Sequence, residues 1–442
     1  MSRIIIYIKE NLTLLSAGLI FELFFLLLFS VEPLRYRLGE HTLTLHNYNI
    51  FYAITFVFLF LALIYVDTSK IISRHNFKIA CGFFLLFNLT LLCLWPVTSK
   101  DVFVYMAEGR MVAQGGLNPY LHTYAEFNTD SLFTKIVTPW TYNHTSVYGP
   151  FFILISAGLT WLGGGNLFLN LFLFKLFFVL LNIACGFLIY KISSNEQIFF
   201  LYAWNPLILL EFAANGHNDI ITIFFLLFSI FFLTKKQTNR NYLWPYTLLL
   251  FSTLTKYLTL PLLPIFALFT SKFYKTNKEK FIYLAKLVSI TLLVFLFFFA
   301  FFWQGPETLS EIRKYAFSDR VAKVIWCPFI FSFYSFAYDT PPFNNLPAIY
   351  FISRLLFLLF YALILYQIWH EPDQPTLTKL LRYFAVTIFL FLMFFFIWLV
   401  PWYFTILITL LILYYSLQRD RLSLMAAHFF LFYGILYYLL LR

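Results

Sequence analysis

Residues 277–303 read NKEKFIYLAKLVSITLLVFLFFFAFFW, a lysine-flanked start followed by an apolar run from Phe281 to Trp303 whose single charge is Lys286. Crossing a bilayer takes roughly 20 apolar residues, so this run is a transmembrane helix. Lys272, Lys275, Lys278 and Lys280 just before it place that end in the cytoplasm by the positive-inside rule. Comparable runs fall at 11–31, 47–66, 79–96, 167–190, 198–213, 219–233, 346–369, 383–400, 402–416 and 423–441. The chain has 442 residues, 61% of them hydrophobic and only 12% charged, with mean hydropathy +0.79. Soluble domains carry about 25% charged residues, so this composition excludes a soluble globular protein.

The 31 Lys and Arg against 20 Asp and Glu give a net charge of +11. In a soluble chain that surplus would suggest nucleic acid. Here it gathers in alternate loops, at Arg3 and Lys9, at Lys70, Arg74 and Lys78, at Lys235, Lys236 and Arg240, at Lys379 and Arg382, and at Arg419 and Arg421. It is an orientation signal, and no nucleic-acid partner is expected. The first run has a long apolar core and no small-residue cleavage site after it, so it is expected to stay as a span. Cys81, Cys93, Cys185 and Cys327 show neither a disulfide framework nor a CxxC metal pattern. The 61 Phe and 30 Tyr are read as lipid-facing bulk.

Two stretches need parity to resolve. Residues 243–270 are interrupted by Thr255-Lys256-Tyr257, Pro261 and Pro264, and both flanks are basic. The segment is therefore expected to form a hairpin with Lys256 near its outer tip. Residues 149–162 are short and stop at Gly163-Gly164-Gly165, so they are expected to dip in from outside and return. The expected fold is an all-α integral membrane bundle of about 13 transmembrane helices. It has a two-span extension at 1–78, a main bundle at 79–442, and two long outer loops at 97–148 and 304–345. The N-terminus is cytoplasmic.

The outer side collects the residues able to do chemistry. Asp101-Val-Phe-Val-Tyr105-Met-Ala-Glu108-Gly-Arg110 reads as a short helix with Asp101, Tyr105 and Glu108 on one face, followed by Gly116-Leu-Asn118-Pro119-Tyr120. One carboxylate could deprotonate an acceptor hydroxyl while the other holds sugar hydroxyls. Equally, Asp101 could complete a capping box with Thr98, and Glu108 could be a solvated helix face. Glu211 lies in an apolar run beside the turn Asn215-Gly216-His217-Asn218-Asp219, and an ionisable group at that depth needs a reason. Lys256 needs an anion unless it snorkels to the interface; Arg313 and Arg320 belong to a basic cluster in the second outer loop that is otherwise a solvated segment. Tyr148-Gly149-Pro150 and Pro401-Trp402-Tyr403 add interfacial aromatics, whose ordinary role is belt anchoring.

Taken in order, these motifs resemble polyprenyl-phosphate-sugar-dependent glycosyltransferases of the GT-C class. Glycosyltransferase family 87 and the bacterial α-1,6-mannosyltransferases that elongate lipid-linked mannans are the nearest in pattern. The resemblance rests on Asp101…Gly109-Arg110…Asn118-Pro119-Tyr120, Tyr148-Gly149-Pro150, Asn205-Pro206-Leu207 with Gly216-His217-Asn218-Asp219, and Pro401-Trp402-Tyr403. It covers about residues 79–420 and departs where Tyr257 follows Lys256 in place of Pro and where Glu108 stands for Asp. It implies transfer of a hexose, mannose by preference, from a polyprenyl-phosphate donor to a glycan or glycolipid acceptor on the extracytoplasmic face, with inversion. Asp101 would be the base. Tyr105, Glu108, Arg110, Asn118, Tyr148, Glu211, His217, Asn218, Asp219, Trp402 and Tyr403 would line the donor and acceptor. Lys256, Arg313 and Arg320 would hold phosphate. The leaving group is already anionic, so no metal or other cofactor is expected. A transporter or flippase of lipid-linked sugars is the competing class, but it would show related halves and broken helices at mid-membrane.

Overall fold

The computed structural model describes residues 2–37, 45–127, 142–235, 242–317, 347–373, 375–395 and 399–440, and these contain helices and turns but no strand. The helices are α1 (Ser2–Arg37), α2 (Leu45–Thr68), α3 (Phe77–Leu92), α4 (Asp101–Ala113), α5 (Pro150–Gly163), α6 (Leu167–Ser193) and α7 (Glu196–Ala203). They continue with α8 (Pro206–Ala214), α9 (Asp219–Thr234), α10 (Leu243–Thr255), α11 (Leu262–Ser271), α12 (Asn277–Ala300) and α13 (Ser310–Phe317). The last are α14 (Pro347–His370), α15 (Leu377–Phe395), α16 (Phe404–Gln418) and α17 (Arg421–Leu440). Among the described residues seven helices are long and apolar enough to cross a membrane, and α7 with α8 forms an eighth, bent by 46°. The bend has a local cause. Pro206 cannot continue α7, and Asn205 Oδ1 accepts from the amides of Leu207 and Ile208 to start α8 afresh.

Several stretches expected as spans are short helices that stop at one common level. Helix α3 runs beside α6 in the opposite direction, with Phe77 stacked on Tyr190 at 4.7 Å, Asn182 donating to Asn88, and Lys175 donating to the carbonyl of Leu91. Lys175 sits about 12 Å along α6 from its start, so α3 ends well below the far end of α6. Helices α4 and α5 rise side by side from that level. Tyr105 packs edge-on against Tyr148 and Phe152 at their starts, and Arg110 donates to the Gly164 carbonyl (2.7 Å) at their far ends. Residues 150–163 thus form one short helix alongside α4, shorter than a full span.

The hairpin is present as expected. Tyr242 stacks on Phe273 at 4.9 Å where the segment enters and leaves, and the chain breaks at Lys256 between α10 and α11. The hairpin tip is fastened to α5, since the Gly149 amide donates to the Thr255 carbonyl (3.1 Å). A Cβ at Gly149 would stand 1.8 Å from the Leu254 carbonyl oxygen, so only glycine allows this approach.

The N-terminal pair packs directly on the bundle. Phe21 of α1 stacks on Phe87 of α3 at 5.4 Å, and Tyr65 of α2 donates to the Leu201 carbonyl of α7 (2.6 Å). Reading the phenylalanines as lipid-facing bulk needs correction. Phe21, Phe25, Phe58, Phe84 and Phe87 are fully buried; Phe21 and Phe87 pack on Trp204, whose indole N–H donates to the Ala80 carbonyl, Phe25 packs on both of them and on Phe58, and Phe84 packs on Phe199.

Candidate active site

The short helices converge on a polar cluster at their common level. Helix α4 begins at Asp101 itself, with Lys100 as N-cap and the Ser99 hydroxyl accepting from the Asp101 amide (3.2 Å). The capping box is absent. Thr98 instead accepts from Asn215 Nδ2 (2.7 Å), which leaves the Asp101 carboxylate free of capping duty. Asn215 also accepts the amides of Val97 and Thr98 (3.1 and 2.9 Å) and so latches the α3–α4 linker to the end of α8.

The turn after α8 is equally constrained. Residues Leu209–Ala214 form a π-helical turn, Gly216 takes φ +76°, and the His217 amide returns to the Glu211 carbonyl (2.9 Å). The imidazole is thereby set between two carboxylates. His217 Nδ1 faces Asp101 Oδ2 at 3.6 Å and Nε2 faces Glu211 Oε2 at 3.3 Å, the latter at angles outside hydrogen-bond geometry. Trp402 covers the ring, stacked at 4.0 Å and 20°. The Tyr105 hydroxyl donates to Asn218 Oδ1 (3.2 Å) and lies 3.5 Å from His217 Nδ1.

Lys256 fills the other side. It donates to Asp219 Oδ2 (2.8 Å) and lies over the Tyr403 ring at 4.5 Å and the Tyr148 ring at 5.9 Å. Of the cluster's acids Asp101 is the reachable one, with its side chain 30% exposed, against 0% for Glu211 and 2% for Asp219. Its confined setting raises its pKa to about 6, opposed by the positive charge of Lys256. Burial, helped by the same lysine, pulls His217 well below the usual histidine range, so the ring is neutral at pH 7. Glu108 is buried beside Ser146 rather than solvated, and burial lifts it to about 8.

Asp101, Tyr105, Tyr148, Glu211, His217, Asn218, Asp219, Lys256, Trp402 and Tyr403 thus come together as anticipated, with Glu108 one turn further along α4. Arg110 and Asn118 are engaged elsewhere: Arg110 on the Gly164 carbonyl, Asn118 on the Phe302 carbonyl (2.6 Å). Both tie the α4 region to its neighbours, because their long or forked donors reach the nearest unsatisfied carbonyl. Arg313 is exposed and donates to the Pro306 carbonyl of its own loop (3.0 Å). Arg320 lies outside the described residues. Sequence reasoning missed Tyr438, which donates to Glu211 Oε1 (2.6 Å), and the latch role of Asn215. It also missed Lys175, 1% exposed, which donates to the carbonyl of Leu91 at the end of α3 and to that of Leu94 just past it. A lone lysine inside an apolar span was a signal for the last of these; Tyr438 carried none.

Among the described residues no group of three His, Cys, Asp or Glu side chains converges as a metal-ligand set. The site is instead one reachable carboxylate, a stacked neutral imidazole and a buried ammonium, gathered where helices end inside an all-helical membrane protein. The chain belongs to the alpha-(1->6)-mannopyranosyltransferase family, whose N-terminal domain model matches residues 31–272. The alpha-(1->6)-mannopyranosyltransferase A of Mycobacterium tuberculosis is 28% identical over 133 residues, covering 29% of this chain and 25% of that one. The protein of the same name from Corynebacterium glutamicum is 25% identical over 133 residues, covering 29% and 26%. The chain therefore spans about a quarter of the length of these curated relatives. No solved structure matches it.

Proposed function

We propose that the protein is a membrane mannosyltransferase that moves mannose from a polyprenyl-phosphate donor to a mannan-like glycan or glycolipid, on the extracytoplasmic face and with inversion. The observation that carries this reading is the partly exposed carboxylate of Asp101 beside the buried Lys256 and His217, in a chain of this family. The acceptor oxygen attacks the anomeric carbon, the bond from that carbon to phosphate oxygen breaks, and its electron pair leaves with the polyprenyl phosphate. Asp101 takes the hydroxyl proton, being mostly ionised at neutral pH. The O–H of the protonated Asp101 then faces the neutral ring at His217 Nδ1. Lys256 stabilises the departing phosphate, which already carries its charge, so the reading requires no metal. Glu108, protonated at neutral pH, is buried beside Ser146 one turn behind Asp101 on α4. The basic loops at the opposite helix ends support a cytoplasmic N-terminus and an outward-facing site.

The test is incubation of purified protein with labelled polyprenyl-phosphate mannose and a lipid-glycan extract. Transfer of label that D101N abolishes is the expected result. Donor crossing liposomes without transfer would instead indicate a flippase and overturn the reading.

A further inference from the structure

The end of the hairpin away from Lys256 carries a second charged pocket, which the transfer chemistry does not use. A cavity of about 200 Å³ opens there between the ends of α11, α12 and α14, with Lys272, Lys280, Trp369, Glu371 and Asp373 in its wall. The three helices meet because α11 is held from both sides. Tyr283 of α12 shares a hydrogen bond with Thr270 (2.8 Å), and Tyr361 of α14 donates to the Pro261 carbonyl (2.8 Å). Between these neighbours one stripe is left uncovered. Leu260 and Pro264 are exposed and Leu268 partly so, each four residues from the next and therefore on one face. Leu268 also lines the cavity, so the apolar stripe runs from the cavity towards the hairpin tip.

The charges around the cavity do not balance. Lys379 binds both carboxylates, Glu371 Oε1 at 2.7 Å and Asp373 Oδ2 at 2.9 Å, and Glu371 Oε2 accepts from the Tyr383 hydroxyl (3.0 Å). Lys272 donates to the Glu371 backbone carbonyl. Lys280 forms no ion pair among the described residues and stands close enough to Lys272 to disfavour its charge. Three ammonium groups thus face two carboxylates that Lys379 already holds, and the wall made by Lys272 and Lys280 is short of an anion.

The structure assigns this cavity to the phosphate of an acidic glycerophospholipid, seated against Lys280 and Lys272 with one acyl chain along Leu268, Pro264 and Leu260. A phosphate group is the chemistry recognised, and free phosphate shares it; the apolar stripe leading out of the cavity selects the lipid. The surplus of positive charge selects an acidic headgroup over a zwitterionic one. Trp369, 60% exposed at the last turn of α14, stands where an indole meets headgroups. The bound lipid ties α12 to α14 across α11, a helix of 10 residues and so about 15 Å long, at whose other end lies the Lys256 tip. No residue of the transfer site takes part, so the inference stands apart from that reading.

The experiment places the full chain in nanodiscs of phosphatidylcholine, with or without phosphatidylglycerol, and measures Tm. Phosphatidylglycerol should raise Tm of the wild type by about 3 °C or more, the scale of a ligand present well above its Kd. Lys278→Gln, which removes an exposed lysine outside the cavity, should keep that rise, and Lys280→Gln should lose most of it. Lys272 is left in place because it holds the Glu371 carbonyl. No rise in the wild type, or an equal rise in all three proteins, would overturn the site, the latter reducing it to surface charge. Inorganic phosphate giving the same rise in phosphatidylcholine discs would overturn the lipid in favour of free phosphate. Should Lys280→Gln not fold, Trp369 carries the test. The emission that Trp369→Phe removes should be quenched more by phosphatidylglycerol brominated on its acyl chains than by brominated phosphatidylcholine, and equal quenching overturns the inference.

Discussion

Replacing Lys256 by Met separates what its charge does for the fold from what it does for the phosphate. Lys256 Nζ and Asp219 Oδ2 are 2.8 Å apart, with side chains 11% and 2% exposed. At an effective dielectric of 20 the attraction over that distance is about 6 kcal/mol, set against the desolvation of both ions. Removing one partner leaves Asp219 buried, and its Oδ1 already lacks a hydrogen bond. K256M should therefore lose about 3–5 kcal/mol of stability, as buried pairs do when broken. The K256M/D219N double variant removes both charges and should recover to within about 1 kcal/mol of wild type, because no uncompensated ion remains. Denaturant unfolding in mixed micelles across wild type, both single variants and the double gives the coupling energy directly. Additive losses would refute the pairing. The same four proteins test the phosphate role: the double variant should fold yet transfer at about one-hundredth of the wild-type rate or less, the scale of losing a charge-stabilising donor. Restored activity in the double variant would remove Lys256 from the mechanism.

Transfer by wild type should fall as pH drops through about 6, where Asp101 takes up its proton, and K256M should move this limb to higher pH because the charge that lowers the Asp101 pKa is gone; a pH profile of kcat/KM checks both. Glu108 holds its proton to about pH 8 when folded and to 4.5 when unfolded, so it costs stability increasingly as pH rises between those values. E108Q should match wild type in Tm near pH 4 and exceed it at pH 8, by up to a few kcal/mol in unfolding free energy; equal Tm at both pH values would contradict the buried, protonated carboxyl. Gly149→Ala should separate the hairpin tip from α5, seen as a lower Tm and loss of transfer, since backbone cannot yield to a contact of 1.8 Å. Asn215→Ala strands the amides of Val97 and Thr98 and should lower stability by about 1–3 kcal/mol; unchanged denaturant unfolding would show the latch to be dispensable.

The sequence made depth legible and left azimuth hidden. Hydropathy and charge placed Asp101, His217, Lys256 and Trp402 near one end of their spans, because burial in lipid is a one-dimensional constraint along the chain. Parity alone then put Lys256 at a hairpin tip. Which residues at that level face one another depends on how helices rotate and pack, and no periodic pattern encodes it in chains apolar on all sides. Hence Tyr438, 227 residues from Glu211, was invisible, and Arg110 and Asn118 were credited to the cluster when their nearest carbonyls lay elsewhere. Glu108 misled for a related reason. A carboxylate on a loop helix reads as solvated until a second helix, here α5, is laid against it.

The ammonium of Lys175 on the carbonyls at the end of α3 and just past it bears on how the chain enters its membrane. Helix α3 has 16 residues and rises about 24 Å, less than a hydrocarbon core of about 30 Å. It also carries Asn88, whose amide is met by Asn182 of α6. Emerging from the ribosome, α3 is a poor insertion substrate, with bare carbonyls at one end and an unmatched amide midway. Both needs are answered by α6, synthesised more than 70 residues later. Translocon release of α3 should accordingly wait for α6, and truncations ending between them should leave α3 outside the bilayer, which glycosylation mapping of such truncations would reveal.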